Sequence, residues 1–242
     1  MKKRTKIILT VCLAVLLALG AGGYLYVSDY YRADGTAMAA MAAPSDDVRT
    51  EQDGEVLWFI PEEPTAGLIF YPGGKVEHTA YAPLMRACAE RGIVCALVQM
   101  PGNLAVLDAN AADGLPQNHP EVATWYIAGH SLGGVMAANY AGAHAEDLDG
   151  LILLAAYSTA DLSQTSLRVL SVYGSEDEVL DRGAYEKSRG NLPTQTTEIV
   201  LEGGCHAQFG SYGPQDGDGV PTISGEEQVR QTAETIASFV GQ

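Results

Sequence analysis

A serine, an aspartate and a histidine that lie far apart in this sequence could together carry out nucleophilic catalysis. Ser131 lies in the segment Gly-His-Ser-Leu-Gly-Gly at residues 129–134, whose Gly-x-Ser-x-Gly core is typical of a nucleophile elbow. A serine hydroxyl is a weak nucleophile until a histidine takes its proton, and that histidine needs an acid to orient it. Asp177 and His206 follow Ser131 in the order that such an elbow requires. We therefore predict Ser131 as nucleophile, His206 as general base and Asp177 as the orienting acid.

The residues around Ser131 favour an elbow over a chance match in a chain with 27 glycines. An apolar run at residues 125–128 reads as a strand, and residues 135–143 are compatible with a helix. The serine at such a turn takes a strained backbone conformation, and side chains two positions away would collide with the adjoining strand and helix. Gly129 and Gly133 satisfy this need for small residues.

Other acids and histidines compete for the two supporting roles. Glu176 and Glu178 flank Asp177, but Asp177 stands three residues beyond Gly174, where an apolar run ends. His206 directly follows the last strand-like run, after Gly-Gly-Cys. The other histidines lack such a late position, and the one inside the elbow is expected to have a packing or supporting role: His78, His119, His130 and His144.

Backbone N–H groups are needed to stabilise the oxyanion of acyl transfer, at about 3 kcal/mol per donor. The N–H of Leu132, at the start of the helix after the elbow, is one predicted donor. The second is expected in the segment Pro-Gly-Gly-Lys at residues 72–75, where we favour Gly74 and then Gly73. A plain glycine turn is the alternative interpretation of this segment.

Alternating strands and helices are predicted from residue 56 to the carboxyl terminus. Such alternation favours a mostly parallel sheet with helices on both faces. The helical segments are residues 80–91, 135–145, 181–190 and 228–240, with a short helix near 106–112. The strand-like runs are residues 56–60, 67–71, 93–98, 123–128, 150–155, 168–173 and 196–201.

Length and charge limit the classes of function. At 242 residues the chain suits one α/β domain, and 47% hydrophobic residues with 18% charged residues indicate a globular protein. Residues 1–27 hold four of the 14 Lys and Arg residues and no acid, so residues 28–242 carry 10 bases against 30 acids, a net charge of −20. Such a body repels phosphate backbones, and nucleic acid is therefore not an expected partner.

The amino terminus predicts a membrane helix. Four basic residues precede an uncharged, apolar run at residues 7–27, which is long enough to span a bilayer as a helix. A cleaved secretory signal would share these features, with residues 18–20 as a cleavage site, but apolar residues continue and tyrosines follow where an interfacial belt would lie. We predict an uncleaved anchor at residues 1–27, a tether at 28–53, and an extracytoplasmic domain at 54–242. The Ala/Met stretch of the tether could also form a short helix.

The cysteines do not indicate a metal or cofactor site. Cys88 and Cys95 could form a disulfide in an exported domain, although two separate buried thiols are favoured. Cys205 beside His206 suggests a catalytic or zinc-binding residue, but neighbouring side chains diverge and no C-x-x-C or H-E-x-x-H motif accompanies them. We predict no metal and no cofactor.

Four motifs in order make residues 55–242 similar to the α/β-hydrolase superfamily: Pro-Gly-Gly at 72–74, Gly-His-Ser-Leu-Gly-Gly at 129–134, Gly-x-x-Asp at 174–177 and Gly-Gly-x-His at 203–206. The chain resembles the compact bacterial dienelactone-hydrolase-like and esterase-like group, in which a membrane anchor is common. Dienelactone hydrolases proper use a cysteine nucleophile, whereas this sequence has Ser131. The resemblance implies an α/β-hydrolase fold, with little room for a cap at residues 157–167.

The leading hypothesis is a membrane-anchored serine hydrolase that acts on a small-molecule carboxylic ester through an acyl-enzyme. A catalytically silent binding or sensing module, and an acyltransferase, are the alternatives. From loop position, residues expected at the substrate entrance are Tyr81, Leu104, Tyr157, Phe209 and Tyr212.

Overall fold

The computed structural model describes residues 3–43 and 47–241, in two units, Met1–Tyr30 and Tyr31–Gln242. The first unit is a single helix, α1 (Lys3–Ser28), because the run that forms it contains no helix-breaking proline. Its stretch Thr10–Ser28 is long and apolar enough to cross a membrane, with a mean hydropathy of 1.9. Residues 1–2 of the predicted anchor lie outside the described part of the chain.

The second unit is built on an eight-stranded sheet with the strand order β1-β2-β4-β3-β5-β6-β7-β8. Strands β3 to β8 run parallel, while β1 and β2 are antiparallel to their neighbours. The prediction of a mostly parallel sheet is therefore confirmed. The strands are β1 (Val48–Asp53), β2 (Val56–Pro61), β3 (Ala66–Tyr71), β4 (Ile93–Val98), β5 (Trp125–His130), β6 (Gly150–Leu154), β7 (Arg168–Gly174) and β8 (Thr196–Leu201).

Helices cover both faces of the sheet, as the alternating pattern predicts. Helices α3 and α6 pack with β-strand residues such as Phe70 in one apolar core, and α4 packs with Ile69 and others in a second core on the opposite face. Strands β3, β4 and β5 are buried along their whole length, which explains their continuous apolar sequences. The helices of this unit are α2 (Gly35–Ala42), α3 (Ala82–Ala89), α4 (Leu132–Ala143), α5 (Arg182–Ser188) and α6 (Gly225–Val240).

The segment expected to be a tether differs from that expectation. From Tyr31 onward it belongs to the second unit: Tyr31 bridges to Val76, and β1 pairs with β2 along its full length. The buried Arg86 donates hydrogen bonds to the carbonyls of Ala40 and Ala43, at 2.7 and 3.1 Å. Only Val48 of β1 is buried. The sequence of this edge strand therefore shows little alternation of apolar and polar residues. Residues 44–46 of the predicted tether lie outside the described part.

Two further segments differ in detail from their predictions. The helix expected near residues 106–112 is replaced by 3-10 turns at Pro101–Asn103, Ala105–Leu107 and Pro116–Asn118, where prolines and glycines interrupt longer helices. The helix expected from residue 80 begins as a 3-10 turn, His78–Tyr81. In the described chain, residues 155–167 between β6 and β7 contain no helix, which agrees with the prediction of little or no cap.

Candidate active site

Ser131 occupies a strained turn between β5 and α4. Its backbone has φ +51° and ψ −123°, a conformation that non-glycine residues rarely adopt, and α4 begins at the next residue. The Ser131 N–H donates to the carbonyl of Leu154 at the end of β6, which ties the turn to the neighbouring strand. The serine therefore lies at the carboxyl edge of the parallel sheet, where α/β enzymes bind ligands.

The glycines around Ser131 are required by contacts with backbone. A Cβ atom at Gly129 would lie 2.4 Å from the carbonyl carbon of Gly133. A Cβ at Gly133 would lie 2.2 Å from the carbonyl oxygens of both Tyr71 and Pro72. Real Cβ atoms do not approach backbone this closely, so any larger residue at position 133 must displace β3 or the start of α4. The sequence requirement for small residues thus has a direct structural cause.

Asp177 and His206 form a buried pair at the same edge of the sheet. The carboxylate Oδ2 of Asp177 lies 2.9 Å from Nδ1 of His206, and their side chains are 0% and 2% exposed. The Nδ1–H of the imidazole donates to this carboxylate, which leaves Nε2 as the acceptor. Within the described residues Nε2 has no hydrogen-bond partner, although it is buried. An imidazole held in this way is suited to take a proton from a hydroxyl that approaches Nε2.

The turn after β7 selects Asp177 from three consecutive acids. Its Oδ1 accepts hydrogen bonds from the N–H groups of Val179 and Leu180, at 2.9 and 2.8 Å, which fix the carboxylate. Glu176 accepts a hydrogen bond from the hydroxyl of Ser175, and Glu178 is exposed. Asp177 is thus the acid of this turn that bonds to His206.

Two residues without a role in the sequence-based predictions hold the backbone around His206. The carboxylate of Asp218 accepts hydrogen bonds from the N–H groups of His206 and Ala207, at 3.2 and 2.8 Å. The buried amide of Gln228 on α6 bonds to both the N–H and the carbonyl of Cys205, at 3.0 and 2.8 Å. A polar residue at a buried position of an amphipathic helix is the one sequence signal that could have indicated Gln228.

Ser131 and His206 line one small cavity of about 230 Å³. Most of its other walls are apolar, and Asp181 adds one carboxylate. A larger cavity of about 730 Å³ lies behind the His206 backbone, against Cys205 and Ala207, and Ser131 does not line it. Chemistry is assigned to the smaller cavity because both the serine and the histidine line it. Its remaining lining residues are Leu132, Val135, Ala155, Ala156, Tyr157, Val179, Leu180 and Asp181.

The predicted oxyanion donors are neighbours in space. Leu132 is the first residue of α4, where helical N–H groups lack intrahelical partners. The backbone of Gly74 lies against the side chain of Leu132, since a Cβ at Gly74 would be 2.8 Å from Leu132 Cδ2. The N–H of Gly73 donates instead to the hydroxyl of Tyr81, at 3.1 Å. Gly74 is therefore the better candidate of the two glycines.

Comparison with known proteins identifies the family. A model of the alpha/beta hydrolase family matches residues 67–230, which is more than half of the chain. The chain belongs to the alpha/beta hydrolase family. The resemblance predicted from the four sequence motifs is thereby confirmed. No curated protein matches the sequence.

Solved structures share the fold of this hydrolase at low sequence identity. A predicted CIB-like hydrolase from Thermoplasma acidophilum is 16% identical, with a TM-score of 0.57, over 79% of this chain and 98% of that one. TT1662 from Thermus thermophilus is 17% identical, with a TM-score of 0.59, over 80% and 97%. Est1E from Butyrivibrio proteoclasticus is 14% identical, with a TM-score of 0.56, over 81% and 100%. At these identities the likeness concerns the fold.

The five residues expected at the substrate entrance of the hydrolase separate into two groups. Tyr157 lines the cavity that contains Ser131. Tyr81 and Phe209 are 0% exposed and pack in the core beside His130, so they do not line an entrance. Leu104 and Tyr212 are buried as well, at 9% and 6% exposed. Loop position alone could not distinguish these cases, because loops at this edge of the sheet fold back over the core.

The thiols of the catalytic unit are buried. Cys88, Cys95 and Cys205 are free and buried, whereas Cys12 on α1 is exposed. Burial raises the pKa of the Cys205 thiol to about 11, which keeps it protonated and a poor nucleophile. Within residues 3–43 and 47–241, no group of three or more His, Cys, Asp and Glu side chains could hold a metal ion.

Proposed function

We propose that this protein is a serine hydrolase that cleaves carboxylic esters through an acyl-enzyme. The observation that carries the proposal is the buried Asp177–His206 pair, whose histidine lines the same cavity as Ser131 and keeps Nε2 unbonded within the described chain. Membership in the alpha/beta hydrolase family supports hydrolytic chemistry. The strained backbone at Ser131 supports its role as nucleophile, because such strain exposes the hydroxyl at the tip of the turn.

The proposed reaction has two halves. In the first, Ser131 Oγ attacks the ester carbonyl carbon while His206 Nε2 takes its proton, and Asp177 stabilises the imidazolium. The N–H groups of Leu132 and Gly74 donate to the resulting oxyanion. The tetrahedral intermediate collapses, and the alcohol leaves with the proton from His206. In the second half, His206 takes a proton from water, which attacks the carbonyl carbon of the acyl-Ser131 ester. His206 then returns this proton to Ser131 Oγ as the carboxylic acid leaves.

A serine-directed fluorophosphonate probe tests this function. We expect the full-length chain to be labelled, and we expect Ser131→Ala to lose both labelling and hydrolysis of p-nitrophenyl acetate, by about 10⁵-fold or more. Ser158→Ala is a matched control, since the hydroxyl of Ser158 is buried and donates to the carbonyl of Ala160. Wild-type protein that binds no probe would contradict the proposal and favour a catalytically silent module.

The size of the cavity indicates short acyl groups. At about 230 Å³ it is smaller than most pockets for drug-sized ligands, which begin at about 300 Å³. We expect kcat/KM for p-nitrophenyl esters to be highest at two to four acyl carbons and to fall by about tenfold or more at eight, because longer chains find no further apolar surface to bury. Tyr157→Ala should shift the optimum to longer chains. An unchanged optimum in this variant would contradict the assignment of the acyl group to this cavity.

We further propose that α1 anchors the enzyme in the cell membrane with the catalytic unit outside the cytoplasm. The apolar stretch Thr10–Ser28 has the required length, and Lys2, Lys3, Arg4 and Lys6 precede it in sequence. Basic residues remain on the cytoplasmic side of a membrane helix, so the chain after α1 would lie on the other side.

A further inference from the structure

Tyr81 joins two parts of the candidate site through hydrogen bonds. Its hydroxyl accepts the N–H of Gly73 at 3.1 Å and lies 2.7 Å from Nδ1 of His130. A backbone N–H can only donate, so the proton of the Tyr81 hydroxyl is available to His130 Nδ1. Neutral His130 then carries its own proton on Nε2. We assign the order of donation as Gly73 to Tyr81 to His130, which corresponds to the Nε2–H tautomer of His130.

We propose that Tyr81 and His130 position the two oxyanion donors, by tying the loop that contains Gly73 to the strand end that carries the nucleophile. Gly73 immediately precedes Gly74, and His130 immediately precedes Ser131, whose other neighbour is Leu132. The two hydrogen bonds therefore connect the residues adjacent to both sides of the oxyanion site. This inference rests on the proposed esterase function.

Packing leaves this connection little freedom. A Cβ at Gly73 would lie 2.8 Å from both the Tyr81 hydroxyl and His130 Nδ1, so the loop is in close contact with both groups. Tyr81 and His130 are 0% exposed, and the Phe209 ring centroid lies 5.6 Å from that of His130. The His206 ring centroid is 4.5 Å from His130, which brings the base into contact with the same cluster.

Tyr81 and His130 both stay neutral, so the hydrogen bond between them keeps its donor and its acceptor. Burial raises the pKa of the Tyr81 hydroxyl above its ordinary value. Burial, and then the charge of His206, hold the pKa of His130 well below its ordinary value. When His206 becomes protonated during catalysis, the neighbouring imidazole of His130 therefore remains neutral and its hydrogen bond with Tyr81 persists.

Tyr81→Phe tests the role of the hydroxyl, because phenylalanine keeps the ring that packs on Phe70 at 4.9 Å between centroids. We expect kcat for p-nitrophenyl acetate to fall about tenfold or more, with KM changed less than about threefold, since only the oxyanion donors are misplaced. Affinity for a trifluoromethyl ketone, which forms a tetrahedral adduct with serine, should fall by the same factor as kcat. Tyr140→Phe is the matched control, because its hydroxyl bonds to Asp113 instead.

The variants His130→Asn and His130→Leu form a second test, because they place side chains of nearly equal shape at position 130. Asparagine retains an acceptor near the position of Nδ1, and leucine does not. We expect His130→Asn to keep higher kcat and tighter ketone binding than His130→Leu. Equal kcat in wild type and Tyr81→Phe, or equal losses in the two His130 variants, would overturn the proposal. A wild-type enzyme that the fluorophosphonate does not label would instead overturn the esterase function itself.

Discussion

At the residue scale, the turn that carries Ser131 depends on the absence of side chains at its flanks. The space beside Gly133 is filled by the carbonyl oxygens of Tyr71 and Pro72, both 2.2 Å from the position of a Cβ. Backbone cannot yield to a new methyl group as a flexible side chain can. The elbow and strand β3 thus fit together only when residue 133 is glycine.

We therefore expect Gly133→Ala to reduce the free energy of unfolding by more than about 3 kcal/mol and to abolish esterase activity. Gly190→Ala is the matched control, because nothing lies within 4 Å of a Cβ there, and it should change stability by less than about 0.5 kcal/mol. Urea unfolding and p-nitrophenyl acetate hydrolysis measure both effects. Comparable stability and activity in the two variants would contradict this account.

Single residues were predictable from sequence when their chemistry was tied to a local pattern. Ser131 lies inside its own motif, and Asp177 and His206 each follow an apolar strand closely. Tyr81, Gln228 and Asp218 carry no such pattern, because each acts by bonding to backbone 8 to 23 residues away along the chain. Their roles depend on distances that only the folded chain defines, and loop position led to a different expectation for Tyr81.

At the element scale, one buried guanidinium joins both α2 and β1 to α3. The guanidinium of Arg86 on α3 donates to the carbonyls of Ala40 and Ala43, and also lies 3.5 Å from the hydroxyl of Thr50 on β1. These carbonyls lie at the end of α2, where helical C=O groups lack intrahelical partners. A single side chain thus stabilises the end of one helix and its link to the edge of the sheet.

We expect Arg86→Leu to lower the free energy of unfolding by about 1–3 kcal/mol, because two carbonyls lose their donors. Arg91→Leu is the control: Arg91 is 29% exposed and pairs with Glu234 at 3.5 Å, so its loss should cost less than about 1 kcal/mol. Trp58 and Trp125 are buried in the sheet, and their fluorescence reports urea unfolding of this unit. Equal effects of the two substitutions would show that Arg86 does not stabilise α2 and β1.

The inner strand β4 and the edge strand β8 could be predicted from sequence, whereas the other edge strand, β1, could not. Strands β4 and β8 have the predicted bounds, and β4 is buried along its length, so its sequence is a continuous apolar run. Strand β1 has one neighbour and mostly exposed side chains, and its sequence Val-Arg-Thr-Glu-Gln-Asp resembles a linker. Burial marks the composition of β4, and β-branched residues mark that of β8, Thr-Thr-Glu-Ile-Val-Leu. The backbone pairing of β1 leaves no such mark in its sequence.

At the scale of the whole molecule, the division into two units agrees with the proposal that α1 attaches the protein to a membrane and that the second unit carries the chemistry. All residues proposed for catalysis lie in Tyr31–Gln242, which contains the complete sheet and both apolar cores. Attachment and catalysis are therefore expected to be separable.

Deletion of residues 1–27 should convert the protein from a membrane-bound to a water-soluble form with unchanged kcat/KM, within about twofold. The full-length chain should sediment with membranes, resist extraction by high salt and be released by detergent, because a spanning helix is held by apolar contacts that salt does not weaken. Sedimentation and p-nitrophenyl acetate kinetics measure both properties.

Two controls distinguish anchoring from secretion and fix the orientation. Alkaline phosphatase fused after residue 242 should be active only if the carboxyl terminus is exported. Neutral substitutions of Lys2, Lys3, Arg4 and Lys6 should reduce that activity, because these basic residues retain the amino terminus on the cytoplasmic side. The mass of the mature chain identifies cleavage. A mature protein that begins near residue 21 would contradict the anchor, since the remaining apolar residues are too few to span a bilayer of about 30 Å.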